Sequence, residues 1–498
     1  MDNKFNFSEF SKQSPKGIIV IYGRQLIKLF KVSWILVFLF ITKFSKFSEN
    51  DLIGIFIGFG VLLLILLIIS YLMYQNFQFK IEGNYFILKN GILSKKYTSV
   101  SFDRIQNINF KQNLIQQAIN VYGVSIETAG SKKTEIYIKA LSHNKAKSLK
   151  DKLSSGTIAS EIIPEDKAKP LLKIGVKQLL KVSLTENHLQ SLLLFLALML
   201  GFFQQFEQIL DTIGEKEFIE EYLNQSKDAV FGSVVLVIII LLFLTIIALI
   251  SSFVRVFLFH FDLTLFSKEE AFEINQGLLT KKSIILKRQK VQSIIVSTNP
   301  LKRRIGLSYI TFKQAVSGKA KKNKEKLIRI VGCESEKVQI VKTTLFKVKD
   351  LESQEKEHSD RYYKTRMWFQ SFLLLILMNT VLYFVFQNFQ TFYANLGLIP
   401  LFYFLIHKKY KKQYYKFTDD LLLVGKGLVE THQTYFELFK VQNVKMNQTI
   451  FQQRRNVVDL VLQTASGKIR IPCIAKEKAN KIYNYILYKV ETSNQPWM

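Results

Sequence analysis

The chain has 498 residues, 48% of them hydrophobic, and it carries 69 Lys and Arg against 39 Asp and Glu, a formal net charge of +30. This hydrophobic content is high for a soluble protein that carries so much charge, and the two facts are compatible if the apolar residues are concentrated in spans that exclude the charges. They are concentrated in this way: uncharged apolar stretches cover residues 52–74, 189–206, 229–254 and 368–406, and a weaker one covers 29–41.

These stretches predict six transmembrane helices in three hairpins. A helix needs about 20 apolar residues to cross a bilayer. The 39 uncharged residues of 368–406 are too many for one helix, but they fit two short ones that turn near Asn388–Asn395. The first helix has to extend back toward Ile27, with Lys28 and Lys31 reaching the membrane surface. The predicted pairs are about 27–43 with 52–74, 187–206 with 229–254, and 368–387 with 390–407.

The positions of Lys and Arg predict the orientation, because cytoplasmic segments of membrane proteins are enriched in these residues. Of the segments inside the hairpins, 43–51 and 207–228 hold two lysines each, and the third holds no charge. Nearly all basic residues therefore lie outside the hairpins. We expect both termini and the long segments between the hairpins to be cytoplasmic.

The segment after the first hairpin has the pattern of a β domain. QFKIE and YFILK alternate apolar with polar residues, as half-buried strands do, and HNKAKSLKDKL closes the segment with a helical pattern. Two later segments have a similar order. The predicted organisation is an N-terminal segment with the first hairpin (1–74), a β domain (75–155), a basic linker (156–186), the second hairpin (187–254), a second β domain (256–350), a linker (351–367), the third hairpin (368–407) and a third β domain (408–491).

One motif occurs in all three β domains. GILSKKYTSVSFDRIQNI (91–108), GLLTKKSIILKRQKVQSI (277–294) and GLVETHQTYFELFKVQNV (427–444) each place a glycine fifteen residues before a glutamine. The recurring residues are Gly91, Arg104 and Gln106 in the first copy, Gly277, Lys290 and Gln292 in the second, and Gly427, Lys440 and Gln442 in the third. Repetition on this scale predicts a duplicated module.

Each motif residue has a physical interpretation. Glycine suits a turn with positive φ, and the basic residue is long enough to lie across a sheet edge or reach a lipid headgroup. Glutamine has both a donor and an acceptor, so two interpretations stay open: it satisfies backbone groups where a strand leaves the sheet, or it contacts a ligand. The flanking Ile and Val residues are expected to point into the domain.

The motif, together with the hairpins, resembles the bacterial pleckstrin-homology domains of the membrane-flanked type, which occur in tandem in YdbT-like membrane proteins. The resemblance covers nearly the whole chain, although Thr431 and His432 replace two lysines in the third copy. It implies a membrane α + β protein in which each of three transmembrane hairpins is followed by a cytoplasmic pleckstrin-homology-like β-sandwich with a C-terminal helix. It also implies the bacterial cytoplasmic membrane, a partner of the same family or a homo-oligomer, and a part in envelope integrity or stress tolerance.

Two basic segments lie next to predicted membrane helices. In KPLLKIGVKQLLKVSL, the lysines recur every four residues, which favours a basic helix in the headgroup layer; an extended linker that adds to a sheet stays open. Its lysines are Lys169, Lys173, Lys177 and Lys181, and KKYKK contributes Lys408, Lys409, Lys411 and Lys412. Both segments predict contact with anionic lipids. Nucleic-acid binding is not expected, because the domains are tethered to the bilayer and the basic residues do not form a patch interleaved with aromatic residues.

The sequence contains no motif for catalysis or metal binding. The six histidines lack metal-ligand spacing, and no nucleotide-binding loop, nucleophile motif or carboxylate pair is present. We therefore expect no enzyme activity, no cofactor and two reduced, structurally incidental cysteines. Two functions remain: a membrane scaffold that binds lipids or proteins, or a channel or transporter for lipid or a small solute. A channel needs polar residues in its membrane helices, and the predicted spans contain only a few.

Overall fold

The computed structural model describes residues 5, 7–42, 48–128, 136–154, 169–186, 193, 197, 201, 227–268, 270–315, 328–346, 351, 353–387, 392–393 and 395–495. The chain forms two compact units. The larger one comprises Met1–Lys173, Thr264–Asn275 and Thr280–Met498, and the smaller one comprises Ile174–Leu263 and Gln276–Leu279.

The first repeat contains two long helices and a β-sandwich. Its elements are β1 (Ser11–Lys12), α1 (Gly17–Thr42), α2 (Glu49–Gln75), β2 (Gln78–Glu82), β3 (Tyr85–Asn90), β4 (Lys96–Ser101), β5 (Ile105–Gln112), α3 (Leu114–Ala118), β6 (Val121–Thr128), β7 (Ile136–Ser142) and α4 (His143–Ser154). The alternation in β2 buries Phe79 and Ile81. They pack with Ile108, Ile126 and Leu149 in one core that joins both sheets to the closing helix.

The second repeat follows the same order. Its elements are β8 (Leu172–Lys173), α5 (Val176–Thr185), α6 (Lys227–Phe259), β9 (Thr264–Ser267), β10 (Ala271–Gln276), β11 (Lys281–Lys287), β12 (Val291–Thr298), α7 (Pro300–Arg304), β13 (Leu307–Gln314), β14 (Ile328–Glu334) and α8 (Ser335–Leu345). Phe272, Ile294, Ile310 and Phe312 are fully buried between its strands.

The third repeat completes the series. Its elements are β15 (Glu357–His358), α9 (Tyr362–Phe386), α10 (Asn395–Lys411), β16 (Tyr414–Phe417), β17 (Leu421–Gly427), β18 (Thr431–Glu437), β19 (Val441–Asn447), α11 (Ile450–Gln453), β20 (Val457–Thr464), β21 (Gly467–Ala475) and α12 (Lys476–Thr492). Leu422, Phe436, Leu460 and Ile486 lie in its core. We call the three sandwiches domains 1, 2 and 3; each has the predicted strands and final helix.

Three described helices are long and apolar enough to cross a membrane: Glu49–Gln75, Leu241–Phe259 and Tyr362–Val385. The predicted helix at 187–206 lies almost wholly outside the described residues. Helix α1 begins at Gly17, well before the expected start near residue 27, because its first turns pack on domain 1. There Val20 contacts Val121 and Ala140, and the Ser14 amide donates to the Ala140 carbonyl.

The domains are not separate sandwiches, because they share sheets. One seven-stranded sheet has the order β7-β6-β5-β11-β10-β9-β8, and another has the order β14-β13-β12-β18-β17-β16-β15. The last three strands of domain 1 (β5, β6 and β7) therefore form one sheet with the first three strands of domain 2 (β9, β10 and β11). The last three strands of domain 2 form a sheet with the first three of domain 3 in the same way. We call the β5–β11 pairing the first junction and the β12–β18 pairing the second junction.

The segment 169–184 forms two elements rather than one helix. Leu172 and Lys173 pair with β9 as a strand, and the helix α5 starts only after Gly175, whose backbone is extended. In the smaller unit, α5 contacts α6 and buries Leu179 and Val182. A continuous basic helix is therefore wrong for the first half of the segment, where the structure shows the other open interpretation, an extended linker that adds to a sheet.

Candidate functional site

The motif glycines occupy backbone conformations that other residues rarely adopt. Gly91, Gly277 and Gly427 have φ of 113°, 103° and 142°. A Cβ atom on Gly91 would lie 1.9 Å from the Ser94 carbonyl oxygen, and one on Gly427 would lie 1.9 Å from that of Glu430. Only glycine fits such a turn, and after it the chain returns as the next strand, β4, β11 or β18.

Each motif glutamine occupies an extra residue in a strand. The pairing of β5 with β6 shifts by one residue between Ile105 and Asn107. The same shift surrounds Gln292 in β12 and Gln442 in β19. Such a β-bulge interrupts pairing and redirects a side chain. The glutamine is therefore free to bond outside its own strand pair.

At the first junction, the redirected side chains contact the next domain. Gln106 Nε2 donates to the Ala315 carbonyl at 2.9 Å, and the Gln314 amide donates back to the Gln106 carbonyl at 3.0 Å. Asn107 Nδ2 donates to Gln314 Oε1 at 2.6 Å. Gln106 and Asn107 are 5% and 3% exposed. The Ala315 carbonyl that accepts from Gln106 lies directly after β13, which is a strand of domain 2 and not of the domain that contains Gln106.

A buried ion pair also crosses the first junction. Glu273 of domain 2, 3% exposed, lies 2.5 Å from Lys150 of the helix that closes domain 1, and 2.9 Å from Lys268. Burial alone would raise the pKa of Glu273, but the ammonium groups of Lys150 and Lys268 lower the pKa to about 2. Ile285 and Ala271 extend the apolar core of domain 1 into domain 2.

The second junction uses different side chains. The buried Lys440 ammonium of domain 3 donates to the Val291 carbonyl of domain 2 at 2.8 Å and pairs with Glu437 at 2.7 Å. Ser293 and Ser466 hydroxyls lie 3.2 Å apart across the boundary. Gln292 is fully buried beside these contacts.

A histidine also lies at the second junction. His432 Nδ1 is 2.7 Å from the Ser297 hydroxyl of domain 2. Burial lowers its pKa, and the nearby charges of Lys426, Arg329 and Lys313, together with Lys412, lower it further. The imidazole is therefore neutral near pH 7.

Both junctions have the same register. Ile108 lies opposite Ile285 in the first, and Ile294 lies opposite Tyr435 in the second. Ile108 and Ile294 each follow the motif glutamine by two residues, and Ile285 and Tyr435 each follow the motif glycine by eight. The two junctions are thus copies of one pairing.

The third copy of the motif lies at an edge of the array. Gln442 and Asn443 are exposed, whereas Gln106 and Gln292 are buried. Strand β19 is the outer strand of a three-stranded sheet, and β4 is the outer strand of the first four-stranded sheet. Arg104, which corresponds to Lys440, is exposed next to β4, while Lys290 is half-buried at the first junction.

The predicted membrane-surface lysines fall into two groups. Most of them are exposed: Lys169, Lys173, Lys177, Lys181, Lys408, Lys409 and Lys411. Lys412 instead donates to the Leu428 and Val429 carbonyls at 2.6 and 2.8 Å, and burial lowers its pKa. Lys412 therefore holds a turn of domain 3 and is not free to bind lipid.

Sequence reasoning missed the partners that lie outside the motif. Gln314, Glu273 and Ser466 belong to segments with no recurring pattern, so nothing in the sequence marked them as contacts. The polar residue after each glutamine was a signal visible in the sequence, because Asn107 and Ser293 also bond across a domain boundary. Within the described ranges, no group of His, Cys, Asp or Glu could hold a metal ion.

Comparison with known proteins agrees with this repeated architecture. The family described as "Bacterial PH domain" matches residues 30–157, 196–347 and 372–490. The chain is 21% identical over 502 residues to the UPF0699 transmembrane protein YdbT of Bacillus subtilis (strain 168), which covers 97% of this chain and 99% of that protein. Because the family matches cover most of the sequence, the chain belongs to the bacterial PH domain family.

Proposed function

We propose that the chain is a multi-pass membrane scaffold with six transmembrane helices in three hairpins. Its termini and PH domains lie on the cytoplasmic side, where they engage the inner leaflet and protein partners in support of the envelope. The observation that carries this proposal is the pair of junctions. They join three PH domains into one array, and such an array holds binding surfaces at fixed spacing.

Direct contacts between helices and domains support an anchoring role. Arg366, near the start of α9, pairs with the buried Asp459 of domain 3 at 2.8 Å, and the Cys473 amide donates to the same carboxylate at 2.8 Å. Tyr363 and Met367 pack on Val457 of this domain. A helix tied in this way transmits its position in the bilayer to the domain.

The charge distribution supports the orientation. The exposed lysines at the end of α10 and along α5 lie next to apolar helices, where anionic headgroups attract them. At the far end of the hairpins, the linking segments carry only four lysines in total, two in each of two segments. This asymmetry is typical of cytoplasmic domains.

A non-enzymatic role also fits the state of the thiols. Burial raises the pKa of the Cys333 thiol to about 12 and that of Cys473 to about 11. Both thiols are therefore protonated at neutral pH, and thiols in this state are poor nucleophiles. We propose that neither takes part in catalysis.

Accessibility of single cysteines tests the orientation. Leu93→Cys in the exposed turn of domain 1 and Asn494→Cys near the C-terminus both present a reactive thiol on a background whose own cysteines are buried. A membrane-impermeant maleimide should label both variants only after the cells are opened. Labelling of either variant in intact cells would contradict the proposal.

Partner capture tests the scaffold role. The tagged full-length chain, crosslinked in living cells and purified, should recover a partner protein in a constant ratio. A variant with a broken first junction, Glu273→Ala, should recover less of it at equal abundance in the membrane, because the spacing of the domains is lost. Equal recovery would show that the array does not matter for binding.

A further inference from the structure

The two outer edges of the array are the two halves of a junction. Strand β4 corresponds to β11 and β18, and strand β19 corresponds to β5 and β12. Among the described strands, none pairs with the outer edge of β4 or β19. We propose that the β19 edge of one chain pairs with the β4 edge of a second copy, so that chains join head to tail through a third junction.

The internal junctions determine the register of the third one. Val444 follows its motif glutamine by two residues, as Ile108 and Ile294 do, and Ser99 follows its glycine by eight, as Ile285 and Tyr435 do. Ser99 of one chain therefore lies opposite Val444 of the next. Ser99 is exposed within a single chain, whereas Ile285 is 1% and Tyr435 4% exposed.

The side chains brought together by this register are compatible. Tyr97, 60% exposed, falls opposite Met446, 38% exposed, and thioether–aromatic contacts are favourable. Lys445 falls opposite Thr98, and Asn447 falls opposite Lys96, so no like charges face each other directly. The pairing covers two exposed apolar side chains that the single chain leaves in water.

Polar contacts of the second junction also have counterparts. Lys440 donates to the carbonyl of Val291, the first residue of β12. Arg104 stands at the position of Lys440, and Val441 is the first residue of β19. Across the third junction, Arg104 therefore faces the Val441 carbonyl with a longer side chain that also donates hydrogen bonds.

Lysines on the free edges do not prevent the pairing. Lys residues often protect exposed strand edges, and β4 begins at Lys96. At the first junction, however, the equivalent Lys282 lies directly opposite Lys111 in a formed pair. A second copy is the occupant that the geometry selects, because it brings an edge whose register two existing junctions already define.

The inference deepens the proposed scaffold role and rests on it in one respect: domains 1 and 3 must lie on the same side of the membrane. A contact between different faces of two copies produces rings or filaments. The assembled state is therefore expected to range from dimers to larger species.

Disulfide trapping between two tagged full-length chains tests the proposed register. One chain carries Ser99→Cys and the other Val444→Cys, and membranes from cells that produce both are oxidised. Residues opposite each other in antiparallel strands have Cα atoms about 4.5–5.5 Å apart, a distance that a disulfide spans. The matched control replaces Ser99→Cys by Thr98→Cys, because a slip of one residue places the two side chains on opposite faces.

The expected result is a linked product that carries both tags and is several-fold more abundant for the Ser99 pair than for the control. Equal yields, or no linked product, would overturn the inference. If Val444→Cys links instead to a different protein, a second copy is not the occupant, yet the scaffold proposal stands. External labelling of domain 1 or 3 would overturn the scaffold proposal itself.

Self-association of purified full-length protein provides an independent readout. Ser99→Lys would bury an unpaired charge at the third junction and should weaken association at least about tenfold, as judged from the cost of burying charge. Ser99→Ile copies the residue at the first junction and should strengthen it. Both variants alter an exposed position of the single chain, so its folding is preserved. Identical association of the two variants would contradict the proposal.

Discussion

The first and second junctions have the same backbone pairing and different side chains. Both pair a strand that follows a motif glycine with a strand that contains a motif bulge, in one register. Amide side chains and the buried Glu273 cross the first junction, whereas Lys440 and small hydroxyl groups cross the second. Backbone hydrogen bonds and the bulge thus define how the domains join, and the side chains adjust how strongly each junction holds.

The largest effect is expected at Glu273 of the first junction. Glu273→Ala removes the carboxylate that pairs with Lys150 and Lys268, and loss of one partner of a buried ion pair costs about 3–5 kcal/mol. Hydrogen exchange of β5 and β11 in the full-length protein should show faster opening, while β18 stays protected. Glu270→Ala, at an exposed position next to the same strand, is the control and should leave exchange unchanged.

Acid provides a second check on Glu273. Its pKa in the folded protein is about 2, below the value of about 4.3 for a free glutamate. The stabilisation is therefore complete above about pH 4.3 and is lost as the pH falls toward 2. The difference in stability of the first junction between the wild type and Glu273→Ala should shrink over the same pH interval. A difference independent of pH would show that the ion pair is not its source.

A smaller effect is expected from Lys440 at the second junction. Lys440→Met keeps the apolar stem and removes the donor to Val291, and an unsatisfied buried carbonyl costs about 1–3 kcal/mol. Exchange of β18 should accelerate, with β11 unaffected. Lys290→Met is the matched variant at the first junction. Because Lys290 is half-buried there, its effect should be smaller, and an equal effect would mean that the junctions depend alike on this lysine.

Substitution of the motif glutamines should have a larger effect at a formed junction than at a free edge. Gln106→Ala removes the hydrogen bond to Ala315 and should cost about 1 kcal/mol in the opening of the first junction. Gln442→Ala changes an exposed side chain and should stay within about 0.5 kcal/mol in the monomeric protein. The measurement is the thermal unfolding of both variants, compared with the wild type in the same detergent. Equal losses would show that Gln442 already has a buried role within one chain.

The sequence predicted the domains better than their connections. Alternation in QFKIE and the fifteen-residue spacing from glycine to glutamine were sufficient for three β domains with closing helices. The apolar spans at 52–74, 229–254 and 368–387 coincide with described helices that are able to cross a membrane. These features depend on side-chain patterns, which a sequence displays directly.

The junctions were not predictable, because they are made by backbone groups. An edge strand has the same alternation whether or not a neighbour pairs with it, so β4 and β11 are alike in sequence but differ in environment. The strands β1 and β15 were missed for a related reason: each has two residues, too few for any periodicity. In 169–184, the lysine spacing favoured a helix, and the alternative of an extended linker that adds to a sheet is the one that β8 shows.

The smallest expected effect concerns the neutral His432 at the second junction. Its pKa in the folded protein lies below the usual value of about 6.5, because it is buried among positive charges. Below about pH 6.5, the unfolded chain binds a proton that the folded chain does not, so stability falls as the pH decreases through this range. Glu430, 3.8 Å away, offsets only part of the repulsion. His432→Gln should remove this component, so that the protection of β18, which is its exchange rate relative to the intrinsic rate at each pH, is the same at pH 5.5 and pH 7.5, while the first junction behaves alike in both proteins. If the variant retained the full dependence on pH, the proton would have to bind elsewhere in the second junction.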